Sequence, residues 1–133
     1  MKTQLSGCAI VNDKEEILVL WKKRHGHYEF PGGKVLSGET LEEAAVRECR
    51  EELGVDVSIL GYVGFEEFKV DGQTFQSHKY RGKIPNNQKP KVMEPEKFSE
   101  VFWLPIKKYQ SYSCAPNLKR FCQKYIAGEI KFE

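Results

Sequence analysis

Hydrophobic and polar residues follow two different periods along this chain. Short apolar or alternating stretches at 4–11, 16–21, 57–70, 73–84 and 100–105 predict five β-strands. We expect the first two strands to pair as a hairpin after Asn12-Asp13, and the third and fourth to pair across Asp71-Gly72. Apolar residues at helical spacing predict two α-helices, one between Thr40 and Gly54 and one at 115–126.

The first predicted helix has clear end signals. Thr40 followed by Glu43 matches a capping box, and Gly54 is a typical C-terminal stop. Glu43 also precedes Arg47 by four residues, so we expect an ion pair that holds Arg47 in place. The apolar stripe that packs this helix on the core consists of Leu41, Ala45, Cys49 and Leu53.

The same helix carries three carboxylates close together. At ~100° per residue, Glu48, Glu51 and Glu52 project from one face. Their repulsion costs roughly a few tenths of a kcal/mol per pair, and a bound divalent cation reverses its sign. Because Mg²⁺ prefers oxygen ligands, these residues predict half of an Mg²⁺ site, with Mn²⁺ as the alternative ion. Water and a substrate phosphate would supply the other half.

The segment around this helix resembles the Nudix box, G-x5-E-x7-R-E-U-x-E-E-x-G-U with U a bulky aliphatic residue. Gly33, Glu39 and the run from Arg47 to Val55 match every fixed position of that pattern. Cys49 replaces the usual aliphatic residue, and a buried free cysteine behaves as a small hydrophobe. The preceding Glu29-Phe30-Pro31-Gly32 also resembles the family's approach to the box.

The resemblance implies an α+β fold, a Nudix-type α/β/α sandwich with a mixed β-sheet, formed by residues 1–133 as a single domain. It also implies that the carbonyl of Gly32 joins the metal ligands and that Glu39 supports the turn. Glu48 is our first candidate for the general base. In the family, a glutamate from the loop before the last strand often assists, and of Glu94, Glu96 and Glu100 we choose Glu96.

The basic segment ahead of the box has two interpretations, a solvated turn or a phosphate contact. For the second we favour Lys23 or Arg24, and we assign Glu29 and Gly33 to substrate binding as well. Arg47 is expected to orient the neighbouring glutamates. His25 and His27 are predicted to be surface residues rather than metal ligands, because Mg²⁺ prefers oxygen.

The family hydrolyses nucleoside diphosphates linked to another group. The short chain and the stretch Glu94-Pro95-Glu96-Lys97 ahead of a tryptophan-containing strand look most similar to MutT-type nucleoside triphosphate pyrophosphohydrolases. We therefore expect hydrolysis of an NTP or dNTP, including an oxidised one, to a monophosphate and pyrophosphate. The alternatives are an ADP-ribose or other sugar-nucleotide pyrophosphatase, and a non-catalytic nucleotide-binding Nudix module.

Composition limits the number of domains, the binding partners and the cellular location that we expect. A length of 133 residues suits one domain, and a net charge of +2 favours neither a nucleic acid polymer nor a membrane as partner. The four cysteines form no C-x-x-C pair, and the chain has no apolar run of ~18 residues, so we expect a cytoplasmic protein. The nucleotide substrate is the expected partner, with the protein a monomer or a homodimer.

Overall fold

The computed structural model describes residues 2–132, so Met1 and Glu133, the two ends of the predicted domain, lie outside the described residues. Strands and helices alternate irregularly along the chain. In order they are β1 (Lys2–Ala9), β2 (Glu16–Lys22), β3 (His27–Glu29), β4 (Gly32–Lys34), α1 (Leu41–Leu53), β5 (Ser58–Val70), β6 (Gln73–Lys83), β7 (Phe98–Pro105), a 3-10 helix (Ile106–Ser111) and α2 (Pro116–Ile126).

The described strands form two sheets. The larger has the order β4-β1-β6-β5, in which β1 runs antiparallel to β4 and parallel to β6. The smaller has the order β3-β2-β7, and both of its pairings are antiparallel. The predicted α+β fold with a mixed sheet is therefore confirmed.

The predicted hairpin of the first two strands is wrong. β1 is paired with β4 and β6 in one sheet, and β2 with β3 and β7 in the other, so the two strands are not neighbours in a common sheet. Within the described range they approach each other where Leu18 N donates to Ile10 O at 2.9 Å and where Val11 bridges Ile17. The chain thus crosses from one sheet to the other at this point.

Alternate side chains of β1 and β2 enter two separate cores. The residues of this part of the chain that pack in the core beneath α1 are Cys8, Ile10, Leu18 and Leu20. The core beneath α2 takes Ala9, Ile17 and Val19. Residues 8–10 and 17–20 are buried on both faces and are apolar without interruption. A helix covers each side, as the sandwich prediction requires.

The end signals of α1 are confirmed. Glu43 N donates to Thr40 Oγ1 at 3.0 Å, Thr40 N donates to Glu43 Oε1 at 2.9 Å, and Gly54 has φ +70°. The predicted pair of Glu43 with Arg47 is wrong, because the Glu43 carboxylate serves the cap and Arg47 Nε donates to Glu39 instead. Buried Ala45, Cys49 and Leu53 anchor the helix on the core.

The hairpin of β5 and β6 is also confirmed, with positive φ at both Asp71 and Gly72 as its turn requires. Sequence patterns did not find β3, β4 or the 3-10 helix. The two strands have three residues each, too few to display a period. No helix within residues 2–132 is long and apolar enough to cross a membrane.

Candidate active site

Two backbones meet closely where the box begins. Gly32 in β4 pairs with Gly7 in β1. A Cβ on Gly7 would lie 2.1 Å from the carbonyl oxygen of Pro31, and one on Gly32 would lie 2.8 Å from the carbonyl oxygen of Ser6. Neither position accepts a side chain, so the two glycines bring the strand that carries the box against the sheet.

Glu52 points from α1 to this contact. Its residue is 5% exposed, and its Oε1 accepts a hydrogen bond from Gly32 N at 2.8 Å. Burial raises the pKa of Glu52 to about 8, and the charges of Glu48 and Glu94 act in the same direction. The hydrogen bond from Gly32 and the charge of Lys22 oppose the increase without cancelling it.

Glu48 lies one turn earlier on α1 and is half-buried. Burial raises the pKa of this carboxyl, while the hydrogen bond and charge of Arg47 oppose the change. A Cβ on Gly33 would lie 2.6 Å from Cδ of Glu48. Gly33 therefore leaves the space that the carboxylate occupies, which is a structural reason for glycine at this position of the box.

Arg47 connects the acidic residues of the box. Its Nε donates to Glu39 at 2.7 Å, its Nη1 to Glu48 at 3.0 Å and to Glu51 at 3.1 Å, and its Nη2 to the carbonyl oxygen of Lys34 at 2.9 Å. The hydrogen bond to Arg47 lowers the pKa of Glu39, and the same bond is the main reason that the pKa of Arg47 is raised. This geometry is what an orienting residue requires.

The three glutamates share one helix face but do not point to one spot. Glu51 is exposed and turned to Arg47, whereas Glu52 is buried and turned to Gly32. The donor set still fits Mg²⁺, because it consists of oxygen atoms and includes a buried carboxylate without an ion-pair partner among the described residues. Because Gly33 has no side chain, the carboxylate of Glu48 has room next to Gly33, where its charge acts on Glu52.

The loop before β7 brings Glu94, rather than Glu96, towards the box. The charge of Glu94 raises the pKa values of both Glu48 and Glu52, and the neighbouring Met93 N donates to Glu52 O at 3.2 Å. Glu96 is exposed. Glu100 accepts a hydrogen bond from the hydroxyl of Tyr28 and is thereby occupied. By position, Glu94 is therefore a better candidate than Glu96, and the role of Glu96 stays a prediction.

The basic turn between β2 and β3 contributes differently from the prediction. Lys23 and Arg24 are exposed, and Lys23 is fixed through its backbone N, which donates to the carbonyl oxygen of Lys97 at 3.0 Å. The charge of Lys22, which sequence reasoning did not select, acts to lower the pKa of Glu52. Its Nζ lies 4.9 Å from the centroid of the Phe98 ring.

A cavity of about 260 Å³ opens on the other side of the sheet, next to α2. Lys79 lines it, with its Nζ 2.7 Å from Ser77 Oγ and 5.0 Å from the centroid of the Phe30 ring. Burial lowers the pKa of Lys79 to about 8. The carboxamide of Asn117 and the ring of Phe121 line the same cavity, which thus offers aromatic surface and hydrogen-bonding groups together.

The chain segment 30–32 joins this cavity to the carboxylates. Phe30 lines the cavity, and two residues later Gly32 donates to Glu52. A larger depression of about 470 Å³ lies along the outer face of α1, between Arg50 and Ile59. It has neither the aromatic ring nor the buried ammonium group, so the α2-side cavity is the better candidate for a nucleoside.

Sequence reasoning could not find this cavity, because its residues come from distant segments. Lys79 is in β6 and Asn117 is in α2, and neither belongs to a recognisable motif. The parallel pairing of β1 with β6 places Lys79 opposite Gly7 and so within reach of the box. A lysine within an alternating strand was the one available signal.

Comparison with known proteins agrees with the geometry. The sequence model of the NUDIX domain matches residues 1–125. CTP pyrophosphohydrolase of Escherichia coli (strain K12) is 30% identical over 91 residues, which cover 68% of this chain and 64% of that protein. The 8-oxo-dGTP diphosphatase of the same organism is 41% identical over 58 residues, 41% of this chain and 45% of that protein. The matches thus span less than two thirds of either relative.

A solved structure shows the same fold. The crystal structure of a MutT NUDIX hydrolase from Burkholderia pseudomallei superposes with a TM-score of 0.84 at 23% identity, covering 92% of this chain and 97% of that one.

Proposed function

This chain belongs to the NUDIX domain family, and from that premise we propose that it hydrolyses a nucleoside triphosphate or deoxynucleoside triphosphate, oxidised forms included, to a monophosphate and pyrophosphate. The names of the two Escherichia coli relatives, which act on CTP and on 8-oxo-dGTP, support this substrate class.

One observation carries the proposal. Glu52 is a buried carboxylate held by Gly32 N, and burial together with Glu48 and Glu94 raises its pKa to about 8. A carboxylate kept in such surroundings weakens the fold whenever it is ionised. A divalent cation would offset that cost, so the arrangement suits a metal-binding role better than a structural one.

Glu48, Glu51, Glu52 and the carbonyl of Gly32 would hold Mg²⁺, with Mn²⁺ as the alternative. When bound, the ion neutralises phosphate charge and lowers the pKa of water.

The residues of the chain divide the remaining tasks. Glu48 is our candidate to accept the proton of the attacking water, because it is a half-buried carboxylate that Arg47 holds within the box. Arg47 holds Glu48 and Glu51 in place through its Nη1. Glu94 is the second candidate base, since its charge acts on both Glu48 and Glu52.

The α2-side cavity is proposed to take the base. Phe30 supplies apolar lining, and the ammonium group of Lys79 is a hydrogen-bond donor that favours a carbonyl oxygen over an amino group. The phosphates would then extend past Gly32 towards the carboxylates. Glu29, Lys23 and Arg24, at the turn outside this path, become secondary candidates for substrate contact.

Two alternatives remain within the family. An ADP-ribose or sugar-nucleotide pyrophosphatase would use the same carboxylates, and a nucleotide-binding module would bind without turnover. We further propose a cytoplasmic location, supported by four free, buried cysteines. A monomer or homodimer that needs neither a nucleic acid polymer nor a membrane is consistent with the net charge of +2.

The test is product analysis by ion-exchange chromatography after incubation with Mg²⁺ and a panel of NTPs, dNTPs, 8-oxo-dGTP, ADP-ribose and diadenosine polyphosphates. We expect a triphosphate to yield monophosphate and pyrophosphate. Glu51→Gln and Glu52→Gln should lose most of this activity. Glu42→Gln, which changes an exposed residue in the first turn of the same helix, should retain it.

The other outcomes are also informative. Turnover of ADP-ribose alone would keep the chemistry and reject the substrate. Nucleotide binding without any product would reject the hydrolase in favour of the binding module.

A further inference from the structure

We propose that His25, His27 and Glu29 form a binding site for a transition-metal dication of the Zn²⁺ class, separate from the box carboxylates. In the part of the chain that the structure describes, this is the one group of three metal-ligating side chains whose donor atoms all lie within 4.8 Å of one another. The site does not depend on the proposed hydrolase activity.

Strand periodicity brings two of the three side chains, those of His27 and Glu29, to one face. His27 and Glu29 are the first and last residues of β3, and alternate residues of a strand point to the same face. Tyr28 between them points the other way, into the core, and is 9% exposed. His25 precedes His27 by the same interval of two residues, so the sequence His-x-His-x-Glu places three ligands along one side of the chain.

The turn that carries His25 is held by backbone hydrogen bonds. The N–H groups of His25 and Gly26 both donate to the carbonyl oxygen of Lys22, at 3.2 and 2.8 Å. Gly26 has φ +67°, a conformation that favours glycine, and its carbonyl oxygen accepts from Ser113 Oγ at 3.2 Å. The position of His25 beside β3 is therefore built into the fold.

Both imidazoles meet the same carboxylate oxygen. Nε2 of His27 lies 2.7 Å from Oε2 of Glu29, and Nδ1 of His25 contacts that same atom. The two imidazole rings have centroids 5.4 Å apart. In a tetrahedral zinc site, bonds of about 2.1 Å separate the ligand atoms by about 3.4 Å, so the group has to open only slightly. His25, whose side chain is 48% exposed, can make that movement.

The ligand atoms of His25, His27 and Glu29 favour a different metal ion from the one that the box carboxylates favour. Two imidazoles with one carboxylate favour Zn²⁺, Cu²⁺ or Ni²⁺, whereas Mg²⁺ prefers oxygen alone. Three protein ligands leave a fourth position for water. The side chains of His27 and Glu29 are 23% and 25% exposed, which leaves a path for the ion from solvent.

Neighbouring charges limit the affinity. Lys23 and Arg24 are exposed in the same turn, and Lys22 is the cross-strand partner of His27. Cations at these positions disfavour a dication, although the Nζ of Lys22 is held over the ring of Phe98. We therefore expect weaker binding than at a buried structural zinc site.

The test is isothermal titration calorimetry, with zinc chloride titrated into the full chain that has been stripped of metal. Saturating magnesium chloride is present so that Mg²⁺ occupies the box carboxylates. One equivalent of zinc should bind. His27→Gln and Glu29→Gln should each weaken binding by about tenfold or more. The matched control is His78→Gln, which removes the remaining histidine, a buried residue of β6, and should leave zinc binding unchanged.

The proposal is overturned if the wild type binds no zinc, or if a His25→Gln/His27→Gln double variant binds it as tightly. A second measurement avoids variants altogether. On adding zinc, the imidazole NMR signals of His25 and His27 should shift and those of His78 should not. Equal shifts of all three, or a thiolate charge-transfer band on substitution with Co²⁺, would assign the ion elsewhere and reject the site.

Discussion

The two sides of the sheet bury opposite charges in similar ways. On the α1 side, burial raises the pKa of Glu52 to about 8. On the α2 side, burial lowers the pKa of Lys79 to about 8. Neither Glu52 nor Lys79 has an ion-pair partner among residues 2–132. By contrast, Arg47 in α1 forms an ion pair with Glu39, which lies just before that helix. Paired charges support the scaffold, and unpaired buried charges indicate where a ligand binds.

The largest expected effect on activity comes from replacing Glu52, the acidic residue of the two. Glu52→Gln keeps an oxygen for Gly32 N but loses the charge, so kcat/KM for the triphosphate should fall on the order of 100-fold or more. Above pH 8, where Glu52 is ionised, the unfolding free energy of the metal-free protein should not fall, because the variant removes a buried charge. Steady-state kinetics and urea unfolding in EDTA measure the two effects. Retention of more than a tenth of the activity would contradict the assignment.

Replacing Lys79, the basic residue of the two, should weaken substrate binding. Lys79→Met keeps the length of the side chain and deletes the donor, so KM for a base with a carbonyl oxygen at the contact should rise about tenfold. The change in kcat should be smaller. Lys124→Met, at an exposed lysine of the same cavity, is the control and should leave KM within about twofold. Equal effects of the two variants would mean that Lys79 acts only as one of several surface charges.

The comparison also predicts opposite pH dependences in the metal-free protein. Glu52 has a folded-state pKa raised from 4.5 to about 8, so its favourable contribution is present below pH 4.5 and is lost as the pH rises to about 8. Lys79 has a folded-state pKa lowered from 10.5 to about 8, so its unfavourable contribution is present below pH 8 and is relieved as the pH rises towards 10.5.

These contributions are measured as differences from the wild type in urea unfolding with EDTA. The advantage of Glu52→Gln should grow between pH 4.5 and 8, and that of Lys79→Met should shrink between pH 8 and 10.5. Saturating Mg²⁺ should abolish the first trend and leave the second intact. Parallel curves for wild type and variants would show that these groups are not perturbed as described.

The smallest effect is expected from a change that leaves both buried charges in place. Thr40→Ala removes the oxygen that accepts from Glu43 N, which should cost about 1 kcal/mol of stability. Neither KM nor kcat should change measurably at a temperature where the variant remains folded. Thermal unfolding and kinetics on the same sample would show whether stability and activity separate in this way.

Local signals were sufficient for the elements that they describe. The capping box of α1 and the turn at Asp71 and Gly72 were predicted correctly because each involves residues a few positions apart. The acidic half of the site was predicted from its motif, since the spacing of Glu48 and Glu52 puts both on one helix face.

Everything that depends on the order of strands was not predictable in this way. Lys79 reaches the site because β6 pairs with β1, and Glu94 because a loop folds back on α1. His25 and His27 were predicted to be surface residues rather than metal ligands, because only Mg²⁺ was considered. The backbone hydrogen bonds of the turn at Gly26, which place His25 beside β3, leave no pattern in the sequence.

The central position of β1 has a consequence for how the enzyme is made. Among the described strands β1 is synthesised before the others, yet its parallel partner β6 lies 72 residues away in sequence at the pair Gln4 and Gln76. During translation β1 must therefore wait, with an unpaired edge exposed, until the β5–β6 hairpin has left the ribosome. Because Lys79 arrives with that hairpin, the α2-side cavity is assembled late, and a nascent chain that ends before residue 83 cannot form it.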